Sequence, residues 1–228
     1  MQKSVLYVAI GVLMNGTSRI FACHNAPGAE NLDDWKKVMR SWIERGLRRV
    51  LIIVQDDFSG LEKVNSAFFP KADIQLCIVH MQRNARKYLT KPENAEFQER
   101  VKEIKNCRST ADARIRWEER CDTFEEKAPH FIERLRKHRD RYLAFLDDPA
   151  AISSLSTTNK VKAVNSQLER LSRNSSWFQS QERLEMKLGC LFTTRHETRW
   201  KKPSASMPCA LHDLGYMFAK RYEEDLDA

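Results

Sequence analysis

Residues 49–59 read RVLIIVQDDFS. Val50 to Val54 are five consecutive apolar residues, four of them β-branched. A short unbroken run of that kind suits a strand buried on both faces of a parallel sheet, Arg49–Val54. The run ends on Gln55, Asp56 and Asp57. Open α/β sheets gather ligand and catalytic groups just beyond the carboxyl ends of their strands, which makes Asp56 the first candidate for chemistry. A single acid in that place can equally cap the next helix. Asp57 or Ser59 suits that task, and Ser59 with Glu62 spells a capping box.

Working outward, Asp73–Val79 (DIQLCIV) reads as a second buried strand, followed by His80 and a basic helix to about Leu89. A helix ending near Pro70 separates the two strands, so they form a right-handed parallel crossover. Upstream, Ser4–Leu13 and Ser18–His24 are strand-like and flank Asn15-Gly16, a hairpin signal because both central turn positions take positive φ. Leu32–Arg45 is a helix by the spacing of Trp35, Val38, Met39, Trp42 and Ile43, with Asn31 as N-cap, Asp34 three residues on, and Gly46 as the stop.

Downstream, Glu93–Leu146 is helical and highly charged, punctuated at Pro92, Ser109-Thr110, Pro129 and Asp147-Asp148-Pro149. Within it, FIERLRKHRDRY (131–142) reads as an ordinary solvated helix with Phe131, Leu135 and His138 on one side. Helices then cover about Asn159–Arg173, Ser180–His196 and Cys209–Glu224, with a break at Lys201-Lys202-Pro203.

The chain has 228 residues, 42% of them apolar and 31% charged, and a net charge of +8. Its six cysteines are scattered without a CxxC pair, so reduced thiols and a cytoplasmic location are expected rather than a disulfide framework. No signal-peptide pattern opens the chain, and no apolar run is long enough to cross a membrane. Residues 160–202 carry ten Lys and Arg against four Glu, so the basic excess is concentrated there. A local basic excess points to nucleic acid better than total charge does, although a solvated helix face gives the same pattern.

Four words follow one another along the chain: VQDDFSGLEKV (54–64), AFFPKADIQLCIVHMQRNARKYL (67–89), STTNKVKAVNSQLERL (156–171) and RWKKP (199–203). In that order they resemble the mutator-type transposases of bacterial insertion sequences, and the hairpin SVLYVAIGVLMNG fits the same family just after its first catalytic strand. The resemblance covers nearly the whole chain. It implies an α/β fold: a ribonuclease H-like core lacking its first strand, with a helical insertion and C-terminal helices. The corresponding divisions are 1–90 for the core around Asp56, 91–156 for the insertion, and 157–228 for a core helix and the basic helices.

The resemblance also implies a DDE triad, two Asp and one Glu holding two Mg²⁺ or Mn²⁺ ions. One ion polarises the attacking oxygen and the other stabilises the leaving oxygen. Asp56 matches the second Asp. The first Asp is expected on a strand before Ser4, where this chain has no counterpart. The Glu belongs in TTNxxExxN, which here spans Thr157 to Asn165 and includes Asn159; its Glu position is Lys162. A protonated Lys cannot bind a metal, and at 4 Å it repels each unit of cation charge by about 1 to 4 kcal/mol. Glu169 lies two helical turns on, roughly 10.5 Å along the axis, too far to substitute. Productive metal binding is therefore not expected, and the chain is read as a truncated, catalytically degenerate copy.

Cys77 and His80 form the CxxH that accompanies the second Asp in this family. Zinc normally takes four ligands, so these two alone do not make zinc an expected cofactor. The expected partner is DNA at the ends of the insertion element, through Lys160, Arg170, Arg173, Lys201 and Lys202. Intact transposase or a second copy of the chain is a further expected partner. Trp177 and Phe178, between two basic helices, read as a hydrophobic anchor or as a stacking wedge.

Overall fold

A computed structural model of the chain describes residues 4–107, 109–147, 164, 166–167, 170, 181–203 and 208–223. Among the described residues the architecture is α/β, with a helical majority and two small sheets. The residues cluster into two compact units. One comprises Met1–Leu51, Gly60–Lys71 and Thr158–Ala228, the other Ile52–Ser59 and Ala72–Thr157. The expected 1–90 block contributes to both.

In the first unit, β1 (Ser4–Val12) and β2 (Ser18–Pro27) form the antiparallel hairpin. Its turn is not the two-residue Asn-Gly form. The Gly16 amide donates to the Leu13 carbonyl at 2.8 Å, and Leu13 N–H donates to Thr17 O at 2.9 Å, which makes Met14, Asn15 and Gly16 a three-residue loop. Gly16 takes the left-handed position at φ 78° that such a loop needs. Farther up the ladder, Ala9 pairs with Ala22 and Ile10 with Ile20, so Phe21 is an extra residue in β2. Its ring lies over Gly11, where a Cβ would come within 1.5 Å of it.

Helix α1 (Leu32–Glu44) begins as expected, with the Asn31 side chain accepting from the Asp34 amide at 2.9 Å. It packs on the hairpin through Val38, Tyr7 and Ala26, with Val5, Trp35 and Trp42 around them. Helix α2 (Leu61–Phe68) belongs to the same unit. Its N-cap is Gly60 at φ 83°, and no side chain caps it, so the Ser59–Glu62 capping box does not form.

In the second unit, β3 (Ile52–Gln55) and β4 (Asp73–Leu76) pair in parallel. Helices α3 (Ile78–Ala85), α4 (Lys91–Lys105), α5 (Thr110–Phe124), α6 (Pro129–Lys137) and α7 (Arg139–Tyr142) follow, then a 3₁₀ turn at Ala144–Asp147. Both strands are shorter than expected. The segment from Arg49 to Leu51 is held instead by α9 (Pro208–Tyr222) of the first unit. The Tyr222 hydroxyl donates to Val50 O at 2.7 Å and accepts from Val50 N–H at 3.1 Å, taking both groups a ladder would use. At the other end of β4, Cys77 is already the N-cap of α3, so the apolar run through Val79 divides between strand and helix. No ladder joins the hairpin to β3 among the described residues.

The insertion helices have a continuous aromatic core. Phe97 packs against Phe124 and Phe131 at ring-centroid distances of 5.6 and 5.9 Å. Arg120 is fully buried among them, its guanidinium 3.8 Å from the Trp117 ring centre and 4.8 Å from that of Phe97. Burial pushes its pKa down to about 10. Helix α8 (Gln181–Arg195), continued by a π-helical turn at His196–Trp200, returns to the first unit. No described helix is long and apolar enough to cross a membrane.

The hairpin yields a direct test. Gly11→Val forces the Phe21 ring off its seat, and overpacking of this kind costs about 1–3 kcal/mol. Chemical denaturation should show that loss, whereas an unchanged midpoint would mean the ring does not rest on Gly11.

Candidate functional site

The register of the parallel pair sets the site. Ile52 lies opposite Asp73 and Gln55 opposite Leu76. The pairing closes with the Cys77 amide donating to the Gln55 carbonyl at 2.7 Å. Asp56 and Cys77 are therefore the next residues on neighbouring strands and leave the ladder side by side. His80 lies in the first turn of α3, which Cys77 caps. Sequence reasoning named these three residues, and the structure brings them together at the carboxyl end of the two strands.

Cys77 is 1% exposed and not in a disulfide. His80 is half-buried. Its pKa is raised above the ordinary 6.5, first by the hydrogen bond with the Cys77 sulfur and also by the charge of Asp56, while burial opposes both.

Asp57 is committed elsewhere. Arg134 on α6 donates from Nε to the Asp57 carboxylate and from Nη2 to the Asp57 backbone carbonyl. The Tyr142 hydroxyl approaches the same carboxylate oxygen at 3.4 Å. The carboxylate raises the Arg134 pKa, and burial, with a smaller push from Asp57, raises that of Tyr142. Asp57 thus ties the loop after β3 to the insertion helices and does not cap α2. Buried Gln75 on β4 reinforces the tie: its amide donates to Tyr142 O at 3.1 Å and its oxygen accepts from Phe145 N–H at 2.8 Å. Arg134 stands 77 residues from Asp57, inside the helix read as ordinary, and no local pattern announces the pairing.

Asn159, Lys160, Lys162, Asn165, Arg173, Trp177 and Phe178 lie outside the described residues. Arg170 is helical and exposed, and Lys201 and Lys202 are exposed at the bend after the π-helical turn. Among the described residues, no three His, Cys, Asp or Glu side chains converge to hold a metal ion.

Residues 1–203 match the family model described as Transposase, Mutator family. The chain belongs to the mutator family of transposases. It is 27% identical over 191 residues to a transposase for insertion sequence element IS905 of Lactococcus lactis, covering 83% of this chain and 48% of that protein. It is 26% identical over 227 residues to the ISRM3 transposase of Rhizobium meliloti, covering 97% and 55%. A probable insertion-element transposase of Corynebacterium diphtheriae is 29% identical over 178 residues, covering 75% and 50%. This mutator-family chain spans about half the length of the curated relatives it matches.

The pKa of His80 tests the cluster. A raised native pKa means that protonated His80 stabilises the fold fully below 6.5, a contribution lost as pH rises through the higher native value. An NMR titration should place the His80 midpoint above 6.5, and Asp56→Asn should lower it. A midpoint unmoved by that substitution would separate the two side chains.

Proposed function

We propose that this chain is a DNA-binding member of the mutator transposase lineage in which Asp56 retains the place of a catalytic metal ligand and the cleavage centre is disabled. The lineage reaction is metal-dependent strand cleavage and transfer during movement of an insertion element. Asp56 at the carboxyl end of β3, with its neighbour Asp57 engaged by Arg134, is the observation that carries the reading. In this reading the β3–β4 pair belongs to a ribonuclease H-like core, and the helices after it form an insertion into that core.

Among the described residues, those around Asp56 do not fit two divalent ions. Such a centre needs several converging carboxylates, because Mg²⁺ demands near-octahedral oxygen ligands and keeps only some of them as water. Asp56 offers one carboxylate, and that of Asp57 is neutralised by a guanidinium. The residue matching the family's Glu is Lys162, whose ammonium repels cations. Cys77 and His80 provide two zinc-type ligands, half of a usual set. No cleavage step is therefore assigned to this chain by itself.

The alternative is a purely non-enzymatic role, binding element DNA or pairing with intact transposase and so inhibiting it. Exposed Lys201 and Lys202 support it.

Incubation of supercoiled plasmid carrying the element's ends with Mg²⁺ or Mn²⁺ separates these readings from an active enzyme. The chain and its Asp56→Ala variant should leave the DNA equally intact. Nicking by the chain that disappears in the variant would overturn the assignment of a disabled centre.

A further inference from the structure

The insertion helices neutralise their own charge. Arg100 pairs with Glu96, Lys102 with Glu99, Arg116 with Glu103 and Lys127 with Glu93. Arg136 contacts Glu118, Asp122 and Glu125, and Arg139 contacts Glu118 and Asp140. Helix α3 in the same unit behaves differently. Arg83, Arg86 and Lys87 are all exposed, and among the described residues none has an acidic partner.

Their placement is ordered. Ile78, Met81 and Ala85 form the buried stripe of α3. At 3.6 residues per turn, His80 and Arg83 fall within about 60° of each other on the opposite side. Arg86 keeps the helical conformation as C-cap, and the Lys87 amide donates to Asn84 O at 2.9 Å, so the two cations follow Ala85 in a tighter turn. The row starts at His80, beside Asp56, and runs away from the carboxyl ends of β3 and β4 for about 10 Å.

A row of exposed cations without acids attracts a polyanion, and duplex DNA offers one phosphate per about 3.4 Å of each strand. We infer that the outward face of α3, through Arg83, Arg86 and Lys87, is a docking surface for the DNA phosphate backbone, leading the duplex toward Asp56. It rests on the DNA-binding reading and places the contact on a segment distinct from the C-terminal lysines. Contacts of this kind position DNA and carry no sequence information, so they persist whether or not the centre can cut.

The test is the binding of a short fluorescein-labelled duplex of arbitrary sequence to the full chain, followed by anisotropy across a salt series. Arg83→Gln/Arg86→Gln/Lys87→Gln should weaken binding at least about tenfold at low salt and reduce the slope of log affinity against log salt by about 2 to 3. Arg86→Gln alone, at an exposed position that cannot unfold the unit, should reduce the slope by about 1. Arg83→Lys/Arg86→Lys should retain binding, and Arg100→Gln/Lys102→Gln, which removes cations already paired, should change little. If the chain binds but the triple variant keeps its affinity and slope while Lys201→Gln/Lys202→Gln loses both, the α3 surface is wrong and the DNA-binding reading stands. If the chain fails to bind at low salt, both fall together.

Discussion

The hydrogen bond from the Cys77 amide to the Gln55 carbonyl, at 2.7 Å, fixes where two neighbouring segments stop being strands. Everything at the candidate site depends on that shared level. A register shift of one residue would turn each side chain to the other face of the sheet. Asp56 would then no longer leave the ladder next to Cys77, and α3 would start from a different place. The parallel ladder from Ile52 opposite Asp73 to Gln55 opposite Leu76 carries this register.

From that point two adjacent acids take different tasks. Asp57 receives two donors from one guanidinium, a geometry that fixes position as well as charge. Asp56, a residue earlier, acts on the charge of His80. The two bonds to Asp57 fix the loop after β3 against α6. The same division appears in charge: most arginines of the insertion helices pair with acids of the same unit, and α3 leaves its cations facing outward.

Much of this was legible in sequence because it depends on short-range patterns. The apolar run leading to Asp56, the four-residue CxxH, the Asn31 cap and the hairpin all follow from local spacing. The limits of β3 and β4 were not legible. Tyr222 replaces a strand partner at Val50 from 172 residues away, and Cys77 turns the second apolar run into a helix cap. The partnership of Asp57 with Arg134 was hidden for the same reason, since an amphipathic helix looks alike whether its arginine faces water or a distant loop. The fully buried Arg120 was equally hidden: in sequence it is one cation among many in a charged helix, and only packing shows that rings rather than acids surround it. The three-residue turn at Asn15-Gly16 differs from the expected one because the glycine alone supplies the positive φ.

The central proposal is that Asp56, with Lys162 at the position matching the family's Glu, does not hold a productive pair of metal ions. Titration of Mn²⁺ into the chain, with free ion followed by electron paramagnetic resonance and Asp56→Asn as reference, tests it most directly. At most one weakly held ion, released by the substitution, is expected. Two tightly held ions per chain, both lost with Asp56, would contradict it.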